Sequence, residues 1–204
     1  MSGLGFTMLI RLVAYRLVAC FASAALSVVL TTIGLLGATS VAVAKSPITI
    51  ASGDALRDQI NARILVDVLQ RSGLKATSLR IAADAAADAL TAGTVHILPE
   101  VSPAKVKAEF ADALLAGRVV DLGFKQAGPN DPKYRKLAWS KTRRLWPGEF
   151  KLIKNMTIPE ADVLAMVRAA KNGQPVETVV ATWANQNTSR WGKWKSASKN
   201  WMKP

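Results

Sequence analysis

The stretch Gly93-Thr94-Val95-His96-Ile97-Leu98-Pro99-Glu100-Val101-Ser102 decides the fold. Its apolar part, residues 94–98, predicts a short buried strand that ends at Pro99. The loop that follows carries one carboxylate, Glu100. In open α/β sheets, ligands bind just outside the carboxyl ends of the strands. If the rest of the chain forms such a sheet, this loop is the first place to expect a binding site.

The residues before this stretch alternate between strand and helix patterns. Strands are predicted over residues 47–51 and 77–81, and helices over residues 57–71 and 84–91, closed by Gly73 and Gly93 respectively. With residues 94–98 this makes β-α-β-α-β within about 50 residues, which predicts a parallel sheet covered by helices. Right-handed crossovers then bring the loops after strands one and three to one crevice.

The second half of the chain predicts fewer strands and more helices. Ser102-Pro103 starts a helix that ends at Gly117, and residues 118–123 predict a fourth strand. Residues 126–132 form a loop, and the basic segment 133–144 gives no clear pattern. A capping box at Thr157-Ile158-Pro159-Glu160 predicts a helix to Gly173, and Pro175 opens another.

Residues 1–44 have the pattern of an export signal. Arg11 and Arg16 are followed by an uncharged, mostly apolar run over residues 17–44 that ends in Ala42-Val43-Ala44. The run is long enough to span a bilayer, so an uncleaved N-terminal anchor is the alternative. Cys20 precedes most of this run, so we interpret it as a signal residue and not as a lipid attachment site.

The remaining residue types exclude several kinds of chemistry. No cysteine follows Cys20 and the only histidine is His96, so a Cys-His pair or a thiolate zinc site is excluded there. His96 lies in the predicted strand and is interpreted as structural. Phosphate-loop motifs are absent. The sequence therefore predicts no catalytic residue, no metal, no cofactor and no enzyme.

Charge is concentrated in the second half of the chain. Residues 45–117 contain eight Lys/Arg and eight Asp/Glu, whereas residues 118–204 contain seventeen and six. This excess of basic residues is typical either of a solvated surface or of a surface that contacts an anionic membrane. The six tryptophans leave a similar choice. Trp183 is predicted to pack on the domain, and those of the tail either pack or contact a surface.

Residues 48–101, with Gly93-x-x-His96-x-x-Pro99-Glu100-Val101, resemble the periplasmic substrate-binding proteins of ABC transporters for glycine betaine, choline and proline. The segments 117–123, 146–157, 181–184 and 191–194 continue the resemblance. It implies an α/β fold, namely one lobe of a type II periplasmic-binding-protein-like fold with a mainly parallel sheet and flanking helices. The implied organisation is a signal peptide or anchor over 1–44, the lobe over 45–195 and a basic tail over 196–204.

The chain departs from this family in two respects. The family resembles a two-lobed clamp, and residues 128–144 stand where its second lobe would be, which is too short for a domain of at least about 50 residues. The family also places aromatic residues at strand ends, where this chain has Ser102 and Ala55-Leu56. The resemblance implies ligand-binding positions at Asp54, Glu100, Ser102 and Trp139.

The expected function is therefore that of a periplasmic substrate-binding component with weak or lost quaternary-amine binding. Its implied partners are a small quaternary amine and an ABC permease in the inner membrane, and no nucleic acid. The alternative is an exported module outside transport that binds an anionic membrane surface or a protein partner through its basic C-terminal half.

Overall fold

A mixed five-stranded sheet forms the centre of the protein. The computed structural model describes residues 46–124 and 133–199, so the predicted signal or anchor lies outside the described residues. The strands are β1 (Ile48–Ser52), β2 (Ala76–Arg80), β3 (Ile97–Val101), β4 (Val119–Phe124) and β5 (Arg135–Trp139).

The strand order is β2-β1-β3-β5-β4. β1 pairs in parallel with β2 and β3, whereas β5 pairs antiparallel with both β3 and β4. Four strands therefore run in one direction and β5 runs against them. The predicted mainly parallel sheet is confirmed, but β5 was not predicted because it arises from the basic segment 133–144.

Helices flank this sheet. They are α1 (Leu56–Arg71), α2 (Ala86–Ala92), α3 (Pro103–Glu109), α4 (Ala111–Leu115), α5 (Thr142–Leu145), α6 (Pro147–Asn155), α7 (Glu160–Lys171), α8 (Val176–Gln186) and α9 (Thr188–Lys199). α9 includes the first residues of the predicted basic tail, and residues 200–204 lie outside the described part. Within that part, no helix is long and apolar enough to cross a bilayer.

The third strand differs from its prediction. It covers Ile97–Val101, so Pro99 and Glu100 lie within the strand and the loop begins at Ser102. Proline lacks an N–H and is tolerated at irregular positions of a sheet. Pro99 meets this condition because the β3–β5 register shifts between Leu98 and Val101.

Two helices also differ from prediction. The capping box does not form: the N-cap of α7 is Pro159, without a side-chain cap hydrogen bond. Glu160 instead accepts hydrogen bonds from Arg57, which removes it from the reciprocal cap. The helix expected from Ser102 to Gly117 is divided into α3 and α4 at Phe110, whose side chain is buried.

Two apolar clusters stabilise the sheet. The larger contains Ile48 and Ile50 together with the buried residues of α1, α6, α7 and α8. The smaller contains Ala51, Leu98 and Phe110. Consecutive residues of β1 thus enter different clusters, as the alternation of side chains along a strand requires.

Most tryptophans are used for packing. Trp146, Trp183 and Trp194 are buried in the larger cluster, which confirms the prediction for Trp183. Trp191 packs against the same cluster and donates its indole N–H to Ala184 O at 3.0 Å. Of the two alternatives for the tail tryptophans, packing or surface contact, Trp191 and Trp194 show packing. Trp201 lies outside the described residues.

Gly93 is required by both its conformation and its surroundings. It ends α2 with φ +79°, and a Cβ built on it would lie 2.7 Å from Cε2 of Trp139. We therefore expect Gly93→Ala to lower the free energy of unfolding by about 2–4 kcal/mol, from left-handed strain plus the clash. Gly73→Ala is the matched control, because Gly73 has φ +82° with open space around it. In urea denaturation, Gly73→Ala should lower the free energy of unfolding by only about 1 kcal/mol. Equal losses for the two variants would contradict the role of Trp139.

Candidate functional site

A cleft of about 420 Å³ lies at the carboxyl ends of the parallel strands. Its walls come from the loops after β1, β2 and β3 and from Tyr134, which precedes β5. β5 is antiparallel, so its first residues reach the same edge as the last residues of its neighbours. The topology thus places the cleft where open α/β sheets bind ligands.

The lining of the cleft is rich in carboxylates. It includes Asp54, Asp58, Glu100 and Glu109, with Lys105 as the cationic side chain of this lining. Lys105 Nζ lies 3.9 Å from Glu109 Oε1, at an exposed position where screening leaves such a pair little energy. The lining itself therefore carries more acidic than basic side chains, which favours a cationic ligand over an anionic one.

Arg57 connects three parts of the chain beside the cleft. Its Nε donates to Glu100 Oε1 at 2.5 Å, and its two Nη atoms donate to Glu160 at 2.5 and 2.6 Å. The bond to Glu160 is the main reason why the pKa of Arg57 is raised above its ordinary value, against the opposing effect of burial. Arg57 is thus a permanent cation that joins α1 to β3 and to the first residue of α7.

Two neighbours complete this polar cluster. Asn61 is fully buried one turn after Arg57 on α1, and its Nδ2 donates to Glu100 Oε2 at 2.6 Å. Arg57 Cζ lies 5.1 Å from the centre of the Tyr134 ring, which is a cation–π contact. Both oxygens of Glu100 therefore already accept hydrogen bonds from protein donors.

The cleft has little aromatic surface to offer a ligand. Its lining contains two aromatic residues, Phe110 and Tyr134. Phe110 is only 1% exposed, and a face of Tyr134 is used by Arg57. A quaternary ammonium ion cannot donate hydrogen bonds and is held mainly by aromatic faces. The cleft thus supplies charge without an aromatic cage.

Three of the four predicted site residues meet at this cleft. Asp54 is 81% exposed, with Arg80 Nε 3.7 Å from its Oδ1. Ser102 caps α3 by accepting a hydrogen bond from Lys105 N at 3.3 Å, and Glu100 lies between them and Arg57. Trp139 is not part of the lining, since it is at the far end of β5 and contacts His96.

Arg57, Asn61 and Tyr134 were not singled out from the sequence. The spacing of Arg57 and Asn61 does put them on one face of a helix, next to the predicted crevice. Glu160, which pairs with Arg57, is 103 residues away from it, and no local pattern indicates that pairing. Within residues 46–124 and 133–199, no group of three His, Cys, Asp or Glu side chains could hold a metal ion.

His96 is held as a neutral structural residue at the opposite edge of the sheet. Its Nδ1 accepts a hydrogen bond from Thr49 N at 2.8 Å, so the proton is assigned to Nε2. Its ring lies 4.2 Å from that of Trp146 and 5.7 Å from that of Trp139, measured between centroids. Burial lowers the pKa of His96 from its ordinary value.

This environment predicts a loss of stability in mild acid. The unfolded chain takes up a proton at His96 below about pH 6.5 while the folded chain resists it, so the free energy of unfolding falls as the pH falls. We expect His96 to contribute to that fall between about pH 7 and 5.5, in the direction that its lowered pKa requires. The control is His96→Asn, which keeps an acceptor near Nδ1 but does not titrate. Equal pH slopes of the two proteins in urea denaturation would contradict the assignment.

Comparison with known proteins identifies the fold. No protein-family model matches the sequence. No curated protein matches it either. Lactococcal OpuAC in its closed-liganded conformation with glycine betaine matches with a TM-score of 0.64 at 9% sequence identity, over 73% of this chain and 99% of that chain.

Two further solved structures give the same result. An ABC-transporter choline-binding protein in complex with choline has a TM-score of 0.64 at 8% identity, over 76% of this chain and 97% of that one. The glycine betaine/L-proline-binding protein ProX from Borrelia burgdorferi has a TM-score of 0.62 at 9% identity, over 75% and 100%. These neighbours are solute-binding proteins and not enzymes, and they confirm the expected fold.

Proposed function

We propose that this chain is an exported solute-binding protein of the glycine betaine, choline and proline class, with weak or lost quaternary-amine binding. The fold supports the general class, since ABC-transporter binding proteins share it. In that role the protein works in the periplasm, after removal of residues 1–44, and delivers its ligand to an ABC permease in the inner membrane. Asp54, Glu100 and Ser102 line its site.

The composition of the cleft carries the proposal. Its carboxylates favour a cation, whereas Phe110 is buried and Tyr134 is engaged by Arg57. Each missing aromatic face removes about 0.5–2 kcal/mol of cation–π attraction. Glu100 contributes less to binding than an unbonded carboxylate, because its two oxygens already accept hydrogen bonds from Arg57 and Asn61. The site is thus suited to a cation but lacks the groups that hold a quaternary one.

The proposed second difference is the loss of a closing lobe. Residues 125–134 connect β4 to β5, and about ten residues are too few for a domain. The solved chains are matched over 97–100% of their own length, so the comparison itself does not indicate a missing lobe. This part of the proposal rests on the short connection alone. A small ligand on one open lobe leaves more of its surface in water than in a closed pocket, which weakens binding further.

An NMR titration of the isotopically labelled protein with choline tests where any binding occurs. The amides that shift are expected to surround the cleft, at Asp54, Ser102 and Lys105, without saturating below about 1 mM. The neutral isostere 3,3-dimethyl-1-butanol is the control ligand and should cause smaller shifts because it lacks the charge. Shifts located elsewhere, or equal shifts with the isostere, would contradict the proposed site.

Restoring one aromatic wall should strengthen the site. Ser102→Trp places an indole at the cleft, and we expect choline to bind about 2- to 30-fold more tightly, the equivalent of one cation–π contact. Ser102→Ala is the matched control, since both variants lose the cap on Lys105 N but only one gains a ring. The same titration measures both variants. If Ser102→Ala tightens binding equally, the aromatic explanation is wrong.

A further inference from the structure

The edge of the sheet opposite the cleft is strongly basic. Residues 46–47, 72–75, 93–96, 115–118 and 140–147 surround the amino-terminal ends of the parallel strands and the end of β5, and we call them the amino-terminal edge. This edge carries Lys75, Arg118, Lys141, Arg143 and Arg144 but no Asp or Glu. All five cations are exposed, and none pairs with a carboxylate of the described residues.

Backbone hydrogen bonds hold these segments side by side. Ile48 N donates to Lys75 O at 3.0 Å. Ser140 N donates to Arg118 O, also at 3.0 Å, which places Arg118 beside the segment that contains the other three cations. Because all these segments lie at the same ends of the strands, the five basic residues belong to one edge of the sheet.

Two leucines project from this surface. Leu115 is 89% exposed at the end of α4, and Leu145 is 40% exposed directly after Arg143 and Arg144. Exposed apolar side chains next to unpaired cations are the combination that binds at a bilayer interface, where the leucines enter the acyl boundary and the cations contact headgroups. A purely solvating basic surface has no need of the leucines.

The described part of the chain begins at this same edge. The first described residue, Ser46, accepts a hydrogen bond from the Trp146 indole N–H at 2.8 Å, one residue after Leu145. Residues 17–44, which precede it closely, are uncharged and mostly apolar. In the sequence, the described fold thus begins at the amino-terminal edge, shortly after this segment.

We infer that the amino-terminal edge binds a membrane surface rich in anionic phospholipid. The carboxylate-lined cleft is at the other end of the strands, so it faces away from the negative surface and stays open to solvent. This surface is independent of amine binding. Four of its five cations belong to the basic half of the chain, residues 118–204, whereas Lys75 lies outside that half.

A fluorescent probe on the full chain tests this inference. Leu115→Cys, with Cys20→Ser, is labelled with an environment-sensitive dye and mixed with vesicles of phosphatidylcholine, with or without phosphatidylglycerol. We expect a blue shift and quenching by brominated lipid only when phosphatidylglycerol is present, with loss of both at about 0.5 M salt. A dye at Leu164→Cys, on the exposed side of α7, should not respond.

Charge reversal then identifies the residues responsible. Arg143→Glu with Arg144→Glu should raise the lipid concentration that gives half of the response at position 115 by at least about tenfold. Lys154→Glu with Arg168→Glu, exposed cations outside the amino-terminal edge, is the matched control and should change it little. The inference is overturned if position 115 ignores anionic lipid at low salt, if both reversals act equally, or if the response requires an added protein.

Discussion

Arg57→Ala is expected to lower the free energy of unfolding by about 3–5 kcal/mol, because it removes the guanidinium that two largely buried carboxylates share. Glu100 and Glu160 have side chains only 7% and 15% exposed, and both depend on the same guanidinium. The loss also separates α1 from the start of α7. Chemical denaturation monitored by tryptophan fluorescence measures it.

Two variants make this result specific. Arg80→Ala removes an exposed arginine, 3.7 Å from Asp54 Oδ1, and should change stability by less than about 0.5 kcal/mol. Arg57→Lys keeps the charge but cannot donate to both carboxylates with a planar guanidinium. Its loss in free energy of unfolding should therefore lie between those of Arg57→Ala and Arg80→Ala. If Arg57→Ala costs no more than Arg80→Ala, the polar cluster does not hold these elements together.

Lys136→Met is expected to cost about 3 kcal/mol, although the two side chains have similar length. Lys136 is 1% exposed in the middle of β5, and its ammonium donates to the carbonyl oxygens of Ile153, Lys154 and Met156 at 2.8, 3.0 and 2.6 Å. These carbonyls belong to the end of α6, where the helix dipole favours a cation. Without the ammonium these carbonyls lose the donor that they share, although Ile153 O still accepts a hydrogen bond from Met156 N at 3.2 Å.

Lys154→Met is the matched control for this experiment. It removes an exposed ammonium from the same helix end but keeps the backbone carbonyl that Lys136 uses. Its effect should stay within about 0.5 kcal/mol. Thermal and urea denaturation of the pair compare a buried cap with a surface charge, and similar midpoints for both variants would contradict the capping role.

Local patterns in the sequence predicted the first half of the fold well. The strands and helices before Gly93 follow from hydrophobic periodicity and from glycines at helix ends, which are short-range signals. β5 could not be found in this way, because Lys136 lies at a buried position where the pattern for a strand requires an apolar residue. Its charge is compatible with burial because carbonyl oxygens at the distant end of α6 accept hydrogen bonds from its ammonium.

The position of the candidate site could be predicted from the sequence, but the ion pairs within it could not. Asp54 and Ser102 follow strand ends, and parallel topology alone brings them to one cleft. The pairing of Arg57 with Glu160 depends on how α7 returns to the sheet, and the capping motif at residues 157–160 indicated a different use for that glutamate. Trp139 resembled a site residue by type, but the direction of β5 places it at the other edge, against Gly93 and His96.

Titration calorimetry with glycine betaine and choline tests the central claim most directly, since it measures whether an acidic cleft without an aromatic cage holds a quaternary amine. The account predicts dissociation constants of about 1 mM or weaker for both ligands, or no measurable heat. A dissociation constant in the micromolar range for either ligand would contradict it and would show that the cleft is a functional quaternary-amine site.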